Sequence, residues 1–137
     1  MNESRLSDTV AVSPQISVAD VPGIAAAGYK VLINNRPDGE AADQPTSAEI
    51  EAAALAAGLE YHHMPVTMMD FPGPDFDAMS DLLDDEDRPV FAFCRTGTRC
   101  ANLWVSSRDA DAQDAAAARA SGSGFELGMA NKYLGRG

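Results

Sequence analysis

The run Cys94-Arg95-Thr96-Gly97-Thr98-Arg99 brings a nucleophile and two permanent positive charges into six consecutive residues. A cysteine reacts as its thiolate, and neighbouring positive charge favours that form. A tight loop leading into a helix turns successive backbone N–H groups inward and makes a nest for an anion. Gly97 permits a conformation, or a close approach, that a side chain would forbid. Arg99 offers a planar fork suited to phosphate or sulfonate oxygens. Cys94 and Arg99 are therefore the expected catalytic pair, with Arg95, Thr96, Gly97 and Thr98 as the anion-binding loop. The bland alternative makes Cys94 a small buried apolar residue and Gly97 a mere helix start. What flanks the run decides between them.

Before the loop stands Pro89-Val90-Phe91-Ala92-Phe93, apolar throughout, as a central strand covered on both faces should be. After it, helical sequence begins near Cys100 and runs through Leu103, Trp104 and Arg108. Strand, loop, helix is the order in which an open α/β sheet presents a ligand site, beyond the C-terminal ends of its strands. Further strands are expected at Asp8–Val12, Tyr29–Ile33 and Leu59–Val66, the last with Pro65 near a sheet edge. Helices are expected from Ala19 to Ala25, closed by Gly28, and from a Thr46 or Ser47 cap to Ala57, closed by Gly58. Others are expected around Phe76, Met79 and Leu83, through 111–120, and around Phe125, Met129 and Tyr133. Ser121-Gly122-Ser123-Gly124 reads as a flexible joint and the acidic run Asp84–Asp87 as a solvated turn. Alternating strands and helices predict a single α/β domain over 1–137, a mostly parallel central sheet flanked by helices, with residues 1–8 flexible.

Composition narrows the function. The 137 residues suit one domain, and the net charge of −11 sets the chain against nucleic acid and anionic membrane surfaces. No apolar run is long enough for a membrane span, and no secretory signal opens the chain, so the expected compartment is the cytoplasm. Two cysteines, Cys94 and Cys100, are too few for a disulfide framework. No metal-ligand spacing appears, and neither metal nor organic cofactor is expected.

From about Val12 to the last helix the chain resembles the phosphatase-like domain of the beta-lactamase-hydrolase-like proteins. The resemblance rests on Gln15-Ile16-Ser17, Ala27-Gly28-Tyr29-Lys30-Val31, Ile33-Asn34-Asn35-Arg36-Pro37-Asp38, Glu60-Tyr61 with Pro65-Val66, Phe93 through Arg99, and Leu103-Trp104. It implies a protein-tyrosine-phosphatase-like fold and either phosphatase or rhodanese-type sulfurtransferase chemistry.

Loop spacing favours the second. Cysteine phosphatases typically carry His-Cys-x5-Arg, whereas here Phe93 precedes the cysteine and Arg99 arrives one residue early, in a six-residue loop like that of rhodaneses. The expectation is sulfur transfer from thiosulfate or a persulfide, through a Cys94 persulfide, to a thiol, sulfite or cyanide acceptor, with an enzyme of sulfide oxidation as partner. The alternatives are a phosphomonoesterase working through phosphocysteine, and a non-catalytic anion-binding or persulfide-carrying domain. In the phosphatase reading Asp70 is the candidate general acid, although a solvated loop aspartate describes it as well. Cys100 is a candidate accessory thiol or a plain buried residue. Arg36 is a candidate accessory residue, paired with Asp38 near the loop. His62 and His63, as strand neighbours, should face opposite ways, one buried and one exposed.

Overall fold

The computed structural model describes residues 2–136. A five-stranded sheet runs in the order β1-β2-β5-β3-β4. Its strands are β1 (Ser4–Arg5), β2 (Val10–Ser13), β3 (Val31–Asn34), β4 (Glu60–His63) and β5 (Val90–Phe93). β2, β5, β3 and β4 are parallel neighbours, and β1 pairs antiparallel with β2. The apolar run before the cysteine is thus the middle strand, buried at every position. β4, which leads to Pro65, lies at the edge.

Alternate residues of the strands feed two cores, as a pleated strand must. On one face Ala11, Leu32, Phe91 and Phe93 pack under α1 (Val21–Ala26) and α2 (Ser47–Ala56), through Val21, Ile24, Ile50 and Ala54. On the other, Val12, Ile33, Val90 and Ala92 meet α3 (Phe76–Asp84), α4 (Thr98–Ser107), α5 (Gln113–Gly122) and α6 (Gly128–Leu134). Cys94, Cys100, Leu103 and Trp104 belong to this second core. Helices on both faces of the sheet are what a parallel arrangement requires.

The expected helices and central strands are present, with their ends displaced by a few residues. Thr46, not Ser47, caps α2: its hydroxyl accepts from Glu49 N–H while the Glu49 carboxylate accepts from Thr46 N–H. Three expectations need correction. Residues 4–8 are not loose, because Ser4 and Arg5 pair with Val12 and Ala11, Leu6 is buried, and Arg119 donates to the Arg5 carbonyl; Met1 lies outside the described residues. The joint at 121–124 begins later, since α5 continues through Gly122 and the chain turns at Ser123-Gly124, where Gly124 takes a positive φ. His62 and His63 are both half-buried: His62 bonds the Glu60 carboxylate at 2.6 Å, and His63 bonds the Arg36 carbonyl at 2.9 Å. At a sheet edge neither face is fully covered.

Candidate active site

Cys94 follows the last residue of β5, and the loop delivers the chain to α4 within four residues. β2 anchors it on one side: Cys94 N–H donates to the Ser13 carbonyl at 3.3 Å, and Gln15 N–H to the Arg95 carbonyl at 3.2 Å. Gly97 makes the turn at φ +89°, in the left-handed region. A Cβ there would lie 3.1 Å from Phe125 Cε1 and 3.3 Å from the Ser13 carbonyl carbon, so both conformation and space demand glycine. The turn sends Gly97 N–H onto Cys94 Sγ at 3.1 Å. Beyond it, Asn102 clamps the helix start. Its side-chain amide donates to the carbonyls of Thr98 at 2.8 Å and Glu126 at 2.9 Å, and its Oδ1 accepts from Ala130 N–H at 2.9 Å. Sequence reasoning missed Asn102, and nothing in its local context marks it out.

This setting holds the Cys94 thiol down at about 6. The Cys100 thiol is the largest influence, and burial opposes it; the Cys100 and Thr96 backbone N–H groups and the charge of Arg99 add to the lowering. Cys100, fully buried in the first turn of α4, is itself pushed well above the ordinary thiol range by burial and by the Cys94 charge. The two cysteines are therefore unequal, one poised to ionise and the other to donate. Both are free thiols. Cys94 has no exposed surface, so reaction at Sγ requires the loop or its neighbours to open a path.

Arg99 is held by a residue the sequence analysis overlooked. Its Nη1 donates to Glu40 Oε2 at 2.8 Å and its Nη2 to Glu40 Oε1 at 2.7 Å, and Nη1 also reaches the Val66 carbonyl at 3.0 Å. Buried Arg36 donates to the same carboxylate, Nε to Oε1 at 2.9 Å, and to Gln15 Oε1 at 3.0 Å. The expected Arg36–Asp38 pair is therefore replaced by Arg36–Glu40, while Asp38 Oδ1 accepts from Ser47 N–H at the start of α2. Chiefly through the Arg99 bond, the Glu40 carboxyl is held down at about 2. The one local hint was the i,i+4 spacing of Arg36 and Glu40.

Arg95 and Thr96 are exposed on the outer side of the loop. A cavity of about 700 Å³ opens there, walled by Thr96, Thr98 and Arg99 on the loop side. Glu126 and Lys132 contribute the other charges of its wall. Asp70 does not line it. That side chain is exposed, its Oδ1 accepting from Thr67 N–H at 2.7 Å and from the Thr67 hydroxyl at 2.8 Å, which lowers the carboxyl pKa. In this arrangement it is a solvated loop aspartate held in its charged form. Among the described residues, no group of three or more His, Cys, Asp or Glu side chains comes together as a metal site, and no helix is long and apolar enough to cross a membrane.

Comparison with known proteins agrees with this geometry. The family profile "Beta-lactamase hydrolase-like protein, phosphatase-like domain" matches residues 4–113. The chain belongs to that family. A beta-lactamase hydrolase-like protein of Agrobacterium fabrum is 36% identical over 105 residues, which are 77% of this chain and 24% of the relative. The chain thus spans about a quarter of that protein's length. A candidate phosphatase of Neisseria meningitidis is 38% identical, with a TM-score of 0.79 over 95% of this chain and 94% of that one. The active form of Tk-PTP, at 17% identity and a TM-score of 0.66 over 97% of this chain and 93% of its own, shares the fold. The fold is protein-tyrosine-phosphatase-like, and the comparisons favour the phosphatase alternative over the sulfur transfer expected from loop spacing.

Proposed function

We propose that the domain is a cysteine-dependent phosphomonoesterase. The observation that supports this reading is the placement of Cys94 at the end of the central strand of a protein-tyrosine-phosphatase-like fold, under a glycine turn that aims an N–H at its sulfur, with the thiol lowered to about 6. The Cys94 thiolate attacks phosphorus, forming an S–P bond as the ester P–O bond breaks. Loop N–H groups and Arg99 stabilise the charge on the phosphoryl oxygens. The departing alkoxide takes a proton from a carboxyl group. Glu126 takes the donor's place because it lines the cavity and Asp70 does not; at rest its Oε1 accepts from Gly128 N–H at the start of α6, a bond that must yield during turnover. Water, giving its proton back to that carboxylate, then breaks the S–P bond and releases phosphate and the thiolate. Trapping is the test. Rapid acid quench during turnover of an aryl phosphate should show a phosphoryl adduct by intact mass that is absent from Cys94→Ser, and an adduct that persists in Cys94→Ser would refute the assignment.

A second reading, rhodanese-type sulfur transfer, keeps one observation in its favour. Arg99 stands five residues after Cys94, which makes a shorter loop than the usual phosphatase spacing. In this reading a thiosulfate or persulfide donor leaves a sulfur on Cys94, which passes to a thiol, sulfite or cyanide. The same quench with thiosulfate would reveal a cyanide-labile sulfur adduct.

A further inference from the structure

The anion loop needs only a small mouth to admit phosphate or thiosulfate, yet the cavity beside it measures about 700 Å³, the size of a site for a drug-like molecule. Beyond the loop its apolar lining is Met68, Met69, Phe71, Met129 and Tyr133, interrupted by Glu126 and Lys132. Met68 and Met69 are 78% and 95% exposed and lie with half-exposed Tyr133 around one cavity, so the exposed apolar side chains form a patch rather than scattered single residues. Tyr133 is half-exposed and packs edge-on against Phe71 and Phe76, so this part of the wall is braced. Methionine is flexible and polarizable, suited to contact with a ring or an alkyl chain. The charges around the cavity are few: Arg99, already paired with Glu40, Lys132, and one acid, Glu126. A polyphosphate would find too few cations here. A peptide backbone would bring N–H and C=O groups to an apolar wall with few partners for them.

We infer that this cavity is a subsite for a bulky apolar body attached to the transferred anion. Resting on the phosphatase reading, the substrate class is a lipophilic phosphomonoester with a single anionic head, an aryl or long-chain alkyl phosphate of low molecular weight. The anion loop takes the head, and the methionine and aromatic wall takes the body.

The test is a selectivity series on the intact protein. Naphthyl and long-chain-substituted aryl phosphates are compared with nitrophenyl phosphate, glycerol phosphate, inositol hexakisphosphate and a phosphotyrosyl peptide. The lipophilic esters should exceed nitrophenyl phosphate in kcat/KM by roughly tenfold or more, as filling an apolar subsite typically yields. Replacing both exposed methionines (Met68→Ser with Met69→Ser), which the fold tolerates because they are solvent-facing, should erase most of that ratio through KM. Equal kcat/KM across the esters, or preference for the inositol phosphate or the peptide, overturns the inference while leaving phosphatase action intact. A parallel arm needs no turnover: inactivation of Cys94 by an aryl bromomethylphosphonate against iodoacetate. If no ester is hydrolysed but the aryl reagent saturates at far lower concentration, and loses that advantage in the double variant, the apolar subsite stands and the phosphatase reading falls. Identical saturation for the two reagents overturns the subsite.

Discussion

Arg99 and Glu40 meet fork to fork across 59 residues of chain, with Nη1 on Oε2 at 2.8 Å and Nη2 on Oε1 at 2.7 Å. Both ends of the guanidinium are thereby engaged before any anion arrives, and buried Arg36 fixes the carboxylate from behind. The pair does two opposed things. It sets the plane of the Arg99 fork, and it keeps a negative charge close to a loop built to receive one. Bidentate geometry is what distinguishes such a pair from an ordinary surface ion pair of little consequence.

Glu40→Ala frees the fork to wander, and kcat/KM should fall on the order of 10²-fold, as misplacement of a catalytic group can cost. Glu40→Gln should recover part of this, because the amide can still accept one guanidinium bond. Steady-state kinetics with an aryl phosphate checks both, with circular dichroism as the fold control. Unchanged kcat/KM in Glu40→Ala would show that Arg99 is oriented by the loop alone.

Arg99→Ala should cost about 2–4 kcal/mol of transition-state stabilisation, the usual loss for one charge-stabilising donor. Arg99→Lys should restore only a fraction, since a point charge cannot make two parallel bonds. Full activity in a folded Arg99→Ala protein would remove Arg99 from the mechanism.

Much of this site was readable from the sequence, and the reason is local. Strand β5, Cys94, Gly97 and the start of α4 are consecutive, so apolar pattern, loop chemistry and helix start could be read together. Gly97 stands out in the sequence for its freedom, and in the fold it needs both a positive φ and a missing Cβ. Glu40 and Asn102 were not legible. Their decisive partners, Arg99 for Glu40 and Glu126 and Ala130 for Asn102, lie 59 and 24–28 residues away, and only the packing of the sheet and of α6 brings them together. For Arg36 the sequence points to the wrong acid, because Asp38 and Glu40 are close together in the chain and the choice between them depends on where α2 begins. The role of Cys100 is not legible in the sequence because burial and donation to Cys94 are properties of the packed helix.

The thiolate pH dependence follows from the Cys94 value of about 6. A thiol whose pKa is depressed from near 9 is ionised above about 6 and loses its charge as the pH falls through that value. Alkylation of Cys94 by iodoacetamide should therefore rise with pH through a midpoint near 6 and level off above it. Glu40, held at about 2, stays ionised across this range and does not contribute to the step. Cys100→Ala removes the largest lowering influence and should move the midpoint upward, whereas Cys100→Ser keeps a donor and should keep it low. A midpoint that stays put in Cys100→Ala would refute the role of that thiol.

Gly97→Ala places a Cβ in the left-handed region and within 3.1 Å of Phe125. The strain should cost about 1–3 kcal/mol, seen as a lower denaturant midpoint. Activity should drop further than stability, because relieving the contact turns the Gly97 N–H away from Cys94 Sγ. An unchanged midpoint and rate would mean the turn is not under this constraint.

The choice of acid separates the two chemistries. Phosphate-ester cleavage must protonate an alkoxide, and loss of the general acid typically costs 10²–10⁴-fold. Sulfur transfer from thiosulfate expels sulfite, an anion stable at neutral pH, and needs no such proton. Asp70 is tied to Thr67 in its charged form and exposed, so Asp70→Asn should change the rate with either substrate only slightly. Glu126→Gln, by contrast, should slow turnover of esters with poor leaving groups far more than esters whose leaving group is already acidic, a dependence that simple damage to the start of α6 would not produce. With thiosulfate the same variant should be nearly silent. A collapse of ester hydrolysis in Asp70→Asn with Glu126→Gln unaffected would return the acid role to the 65–75 loop, and would mean that the loop moves Asp70 to the anion site during turnover.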